Sequence, residues 1–183
     1  MHSIHMYPAK FPAFITTKAI RHANELHIPV NTVADIFCGC GTVAYETVKE
    51  NKHFWGCDIN PVATLIARTK SRSYSNKKVS EQLESIISTF NSLCVDETDP
   101  VYSNERINYW FDKEHIDDLL KLRTSIKLTV SSNAYKQFFF CAFSNILKPC
   151  SRWLTKSIKP QLDPNKRCKD VLSAFTSQVS MME

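Results

Sequence analysis

Glycine is scarce in this sequence: three residues in 183, Gly39, Gly41 and Gly56, sit close together, and none occurs elsewhere. Long apolar runs are missing too, since none approaches the roughly 20 residues that a membrane-spanning helix needs. The first residues, MHSIHMYPAKF, lack the basic-then-apolar order of a secretory leader, so a cytoplasmic location is expected. Paired metal-binding knuckles are lacking as well. The seven cysteines (Cys38, Cys40, Cys57, Cys94, Cys141, Cys150 and Cys168) are scattered and odd in number, which suits buried reduced thiols rather than a disulfide framework. Structural zinc wants two C-x(2–4)-C or H-x(3–5)-H pairs; Cys38-x-Cys40 with Cys57 supplies neither, so no metal is expected. There is no repeat, no low-complexity stretch and no adjacent pair of prolines.

What is present fits a folded chain: 43% apolar residues with 11% aromatics, enough for one globular domain with its own core. The formal charge of +5 is unevenly spread. Arg68, Lys70, Arg72, Lys77 and Lys78 occur without an acid between residues 68 and 78, and seven basic residues face Asp163 alone between 148 and 169. Such clusters can follow a phosphate backbone, although most charge runs are only solvated faces.

Residues 32 to 37 (TVADIF) and 53 to 58 (HFWGCD) read as buried strands. Between them, Thr42 to Asn51 has no breaker and carries Val43, Ala44, Thr47 and Val48 at helical spacing. Strand, turn, helix, strand is a βαβ unit, which implies a parallel sheet. Pro61 sits where a first helical turn tolerates it, with Val62, Leu65 and Ile66 following in helical period. From residue 79 the pattern turns helical. Ser80, Asp112 and Ser131 or Ser132 can cap three helices, the third running through Phe139 and Phe143 and stopping before Pro149. A last helix is expected from about Asp170 to Met181. Phe138, Phe139, Phe140 and Phe143 are expected in the core, because four phenylalanines so close together cover most of a helix circumference. With only two convincing strands, the sheet looks unfinished.

Gly39 and Gly41 occupy the turn between the first strand and its helix, where a missing Cβ permits positive φ and close approach to a ligand. A helix N-terminus there suits an anionic or carboxylate-bearing ligand. Asp35 stands near the end of the first strand, where its charge can meet a ligand ammonium. Asp58 closes the second strand, 19 residues after Gly39, where a carboxylate can accept both hydroxyls of a ribose. Position 44 is alanine rather than the third glycine of a dinucleotide fingerprint, which weakens a nicotinamide reading.

At this point the residues resemble a family. Asp35-Ile36-Phe37-Cys38-Gly39-Cys40-Gly41-Thr42 resembles the D-P-F-C-G-S-G-T cofactor motif of DNA amino-methyltransferases, and Gly56-Cys57-Asp58-Ile59-Asn60-Pro61 is similar to the G-x-D-I-N-P that follows it. His5-Met6-Tyr7-Pro8-Ala9-Lys10-Phe11 resembles the H-x-Y-P-A-K-F segment that precedes the motif in one branch of these enzymes. Tyr109-Trp110-Phe111 and Ala142-Phe143-Ser144-Asn145-Ile146-Leu147 are similar to later stretches of the same branch. Ile36 and Cys40 depart from the usual proline and serine.

The resemblance implies an S-adenosylmethionine site. Asp35 and the Gly39–Gly41 turn would hold the methionine part, with Phe37 and Thr42 of the same motif counted in the site. Asp58 would hold the ribose, Ile59 would lie beside the adenine, and Tyr7, Pro8, Ala9, Lys10 and Phe11 would cover the methionine end. The implied fold is α/β: a partial Rossmann-like S-adenosylmethionine-dependent methyltransferase sheet over residues 1–78, and a helix-rich C-terminal half over 79–183, packed as one domain. These enzymes hold the target base with a D/N/S-P-P-Y/F/W motif, and this sequence has none. The expectation is therefore a cofactor-binding part of a restriction-modification type DNA amino-methyltransferase, with no catalytic residue of its own. It would be completed by a second polypeptide or a downstream segment, and would touch DNA through segments 68–78 and 148–169. An RNA amino-methyltransferase fragment and a non-catalytic degenerate module stand as alternatives. 5-Cytosine methylation, hinted at by Pro149-Cys150, is disfavoured because that dipeptide follows a helix.

Overall fold

The computed structural model describes residues 4–7, 10–157 and 159–183, which fall into two compact units, Met1–Ser73 and Tyr74–Glu183. In the first unit, Pro12 stands at the N-cap of α1 (Ala13–Glu25), a helix to which the sequence reading assigned no element. Thr16 and Ile20, four residues apart, form its buried stripe. His27 adopts φ +56° just past its end, and the Ile28 N–H reaches back to the Ala23 carbonyl at 2.9 Å, closing the helix with a left-handed residue.

β1 (Thr32–Asp35) and β2 (His53–Gly56) pair in parallel, Thr32 opposite His53 and Asp35 opposite Gly56, with α2 (Thr42–Lys49) as the crossover. The βαβ reading of the sequence thus describes this unit. The strands are shorter than the expected 32–37 and 53–58, because the Phe37 N–H turns back onto the Asp35 carboxylate at 3.0 Å and leaves the ladder. Nor are they buried. Exposed and half-buried residues alternate along both, and Trp55 is 57% exposed. Among the described residues this sheet has two strands, so each has a single neighbour and no interior position exists. α3 (Pro61–Lys70) starts on Asn60, whose Oδ1 accepts the Val62 N–H at 3.0 Å, with Pro61 in the first turn where a missing N–H is harmless. Most of the buried side chains here are small, Thr42, Ala44 and Thr47 on α2 and Ala63, Ala67 and Thr69 on α3, and they are joined by Glu46, Ile66 and Lys70.

The second unit is helical: α4 (Asn76–Ser92), a short 3₁₀ turn (Pro100–Ser103), α5 (Glu105–Trp110), α6 (Lys113–Thr129), α7 (Asn133–Ile146) and α8 (Val171–Met182). α4 begins at Ser75, a turn earlier than the Ser80 cap expected, and continues past that serine. Asp112, Ser132 and Asp170 stand at the N-caps of α6, α7 and α8. Of these, Asp170 makes the bond itself, taking the Ser173 N–H at 2.7 Å. α4 packs on α6, α7 on α8, and α6 on both α7 and α8. Phe138, Phe139, Phe175, Leu122, Ile126 and Val179 are fully buried between them, each worth roughly 1.5–3 kcal/mol of apolar burial. Phe140 and Phe143 are only half-buried, so two of the four expected core phenylalanines lie at its rim. Among the described residues no helix is long and apolar enough to cross a membrane.

Candidate functional site

The turn from β1 to α2 is built on two left-handed glycines, Gly39 at φ +48° and Gly41 at φ +75°. They serve different ends. A Cβ on Gly41 would stand 2.5 Å from the Ala67 Cβ, so this glycine lets the turn press against α3. A Cβ on Gly39 would meet nothing within 4 Å, so this one leaves open space. Gly39 also lines a cleft at the turn, about 420 Å³, together with Phe11, Ala34, Asp35, Phe37, Cys38, Cys40, Thr42 and Val43. Its volume lies within the roughly 300–1,000 Å³ usual for small-molecule sites.

Asp58 organises the turn from the second strand. One carboxylate oxygen accepts the Gly39 N–H at 2.8 Å and the other accepts the Asn60 N–H at 2.8 Å. Each oxygen of an ionised carboxylate has a second acceptor site, so Asp58 keeps capacity for two more donors. Asn60, quoted in the sequence motif but given no role in the site there, joins Asp58 to the N-terminal arm. Its amide Oδ1 caps α3, while its Nδ2 donates to the Tyr7 hydroxyl at 3.3 Å. The asparagine before a helical proline was the available signal.

Of the residues named from sequence, Phe11, Asp35, Phe37, Gly39 and Thr42 line one cleft; Asp58 bonds the lining residue Gly39, Gly41 meets Ala67, and Tyr7 meets Asn60. Phe37 is 82% exposed and Ile59 fully exposed, so both present apolar surface with no protein cover. Lys10 is exposed on the arm. Pro8 and Ala9 lie outside the described residues.

The local charge is acidic. Burial, followed by the nearby Asp35 and Asp58 carboxylates, raises the Cys38 thiol above its ordinary value, which keeps it protonated and unfit as a nucleophile. Cys150, the cysteine of the Pro149-Cys150 dipeptide, is fully buried. Its thiol is pushed up to about 12, chiefly by that burial, so the 5-cytosine reading has no nucleophile there. Among the described residues no group of three histidine, cysteine or acidic side chains gathers into a metal site.

The basic segments divide into inward and outward residues. Lys70 is 2% exposed, whereas Arg68, Arg72, Lys77 and Lys78 are exposed. Between 148 and 169, Lys148 donates to the Ser157 carbonyl at 2.8 Å and Lys166 to the carbonyls of Lys148 and Trp153 at 2.8 and 2.7 Å. Arg152 donates to the Asn108 carbonyl at 2.6 Å, and Trp153 stacks on Trp110 at 5.5 Å. Those three cations hold the loop in shape, while Lys156, Lys159, Arg167 and Lys169 face outward. The Tyr109–Phe111 and Ala142–Leu147 stretches serve packing in the same unit. Asn145 of the latter donates to Gln178 at 2.6 Å and ties α7 to α8.

No protein-family model matches the chain, and no solved structure does. Among curated proteins, the chain is similar to the type II methyltransferase M.MvaI of Kocuria varians, 24% identical over 164 residues. That alignment covers 86% of this chain and 36% of the relative, so the chain spans about a third of the length of the protein it matches. The likeness runs through both units and supports a methyltransferase relationship.

Proposed function

We propose that this chain is the S-adenosylmethionine-binding part of a DNA amino-methyltransferase of the restriction-modification type, built on a partial Rossmann-like sheet. The observation that carries the reading is the glycine turn. Gly39 and Asp35 line a cleft at the turn, a Cβ on Gly39 would meet nothing within 4 Å, and Asp58 holds the Gly39 N–H with acceptor sites to spare. The similarity to a type II methyltransferase over most of the chain points the same way.

Bound there, S-adenosylmethionine supplies an activated methyl group on its sulfonium. The residues of this chain bind and orient. Asp35 offers a carboxylate to the amino group of the methionine part, the Gly39–Gly41 turn lets the backbone come close to it, and Phe11 covers it. Asp58 takes the ribose hydroxyls, and the exposed Ile59 lies beside the adenine. Transfer also needs the target nitrogen held in line with the methyl. Nothing in this sequence supplies the Pro-Pro-aromatic motif that would hold it, so that part of the site comes from other residues, on a partner chain or on a longer polypeptide.

Calorimetry with S-adenosylmethionine tests the site. Asp58→Ala is expected to weaken binding at least about tenfold while circular dichroism stays that of the wild type. Equal affinities in the two proteins would overturn the assignment. Residues 1–183 alone are expected to transfer no tritiated methyl to DNA, and transfer by them unaided would remove the need for a completing segment.

A further inference from the structure

Lys70 was counted from sequence among the basic residues that could meet a phosphate, and its position in the fold gives it another task. It is the last residue of α3 and only 2% exposed. Lysine is almost never fully buried unless its amine finds partners, because an unbonded buried amine costs several kcal/mol. Here Nζ donates to the Cys40 carbonyl at 3.2 Å and lies 4.0 Å from the Cys40 Sγ. The carbonyl belongs to the turn that forms the floor of the cleft.

The bond acts on one peptide plane. The Cys40–Gly41 peptide has its carbonyl held by Lys70 and its N–H donated to the Cys38 carbonyl at 2.8 Å. With both ends engaged, the plane cannot rotate, and that fixes the left-handed setting of Gly41. Ala67, three residues before Lys70 and therefore on the same face of α3, meets Gly41 itself. The helix thus grips the turn at two consecutive residues, one by contact and one by a hydrogen bond. Such a grip matters because two left-handed glycines in a row of four residues give a turn little stiffness of its own. A turn fixed in advance loses less entropy when a ligand settles on it.

We infer that Lys70 is a positioning residue for the cofactor turn: from beneath, its buried amine sets the Cys40–Gly41 peptide so that the turn is preformed for the methionine end of the cofactor. The inference rests on the cofactor reading above. Lys70 does not line the cleft itself.

The test uses the full 183-residue chain, with Lys70→Met, similar in length without a donor, and Lys70→Arg, which keeps one. S-adenosylhomocysteine and 5′-methylthioadenosine are the two probes, the second lacking the amino-acid part. Lys70→Met is expected to bind S-adenosylhomocysteine about tenfold or more weakly, to bind methylthioadenosine as the wild type does, and to recover in Lys70→Arg. An equal loss for both probes, or no loss for either, would overturn the inference. If Met is not tolerated, Lys70→Gln, one bond too short to reach the carbonyl, is read in the same way. A ligand-free readout separates this from the cofactor reading. The chain has three glycines, so the Gly39 and Gly41 amide signals are easily found in a nitrogen–proton spectrum. They should shift in Lys70→Met and return in Lys70→Arg. Unmoved signals would sink the positioning role even if the cofactor binds, whereas a wild type that binds neither probe would sink the cofactor reading first.

Discussion

In the Tyr74–Glu183 unit, Phe138, Phe139 and Phe175 are at most 1% exposed, sealed between helices. In the Met1–Ser73 unit, Phe37 is 82%, Trp55 57% and Ile59 101% exposed, while the buried positions of α2 and α3 are mostly alanine and threonine, with Glu46, Ile66 and Lys70 among them. The helical region buries phenylalanines in its core, whereas no described aromatic ring of the other is fully buried. The helical unit holds its shape through packing. The βαβ unit holds the shape of its site through a few directed contacts, Asp58 on Gly39, Lys70 on Cys40 and Asn60 on Tyr7. Large apolar groups around a cleft are surface that a ligand or a further segment can cover.

The comparison breaks most sharply on a core deletion. Phe175→Ala should cost about 3–5 kcal/mol, read from urea unfolding, whereas Trp55→Ala should cost about 1–2 kcal/mol despite removing a larger ring, because more than half of that residue is exposed to solvent. Similar losses at the two positions would mean that the sheet is covered in solution. The next effect divides the two glycines. Gly41→Ala meets Ala67 and takes up a left-handed φ, so about 2–4 kcal/mol of stability should go. Gly39→Ala should cost only about 1 kcal/mol for its φ, yet weaken S-adenosylmethionine binding more than any stability loss explains, since Gly39 lines the cleft and a methyl there crowds a bound ligand. Calorimetry and thermal melting on both variants decide it.

The extent to which the sequence disclosed this arrangement follows from how local each signal is. The βαβ order, the glycine turn, Asp58 and the starts of α6, α7 and α8 were legible because caps, glycines and periodicity act within a few residues. α1 was not, since its buried stripe is just Thr16 and Ile20. Strand burial was misread because TVADIF and HFWGCD are apolar enough for an interior, and the number of neighbours a strand has is a property of the whole sheet. Phe140 and Phe143 show that composition marks a helix as apolar without saying which side faces inward. Lys70 is the opposite case. A lysine in a basic cluster looks solvated until the fold turns it under a backbone carbonyl thirty residues away.

Outward and inward cations give a smaller effect and the same division. If the 148–169 loop touches DNA, Lys156→Ala with Lys159→Ala should lower the slope of log affinity against log salt by up to about 2, one counterion release for each lost phosphate contact. Lys166→Met should leave that slope unchanged and lower the melting temperature, because its amine is engaged by two backbone carbonyls. A reduced slope in Lys166→Met would move that residue to the DNA side.

The smallest effect concerns pH, and it separates the units by window. His5, on the arm that reaches Asn60 through Tyr7, is held down to about 4 from its ordinary 6.5, first by burial and then by the Lys10 charge, against a backbone bond at Met6 that favours the proton. A depressed folded value means that the unfolded arm binds the proton more readily. The contribution is therefore whole above about 6.5 and is lost as pH falls toward 4. In the helical unit, Asp170 lies below its ordinary 3.8 because the backbone N–H and the side chain of Ser173 hold its carboxylate. That contribution is whole above 3.8 and is lost as pH falls below it. Melting curves of wild type and His5→Gln should therefore part between pH 6.5 and 4, with Asp170→Asn departing from wild type above 3.8 and converging on it at more acid pH. Parallel curves for His5→Gln across that range would mean that the arm is undocked in solution and that the Tyr7–Asn60 bond is not made there.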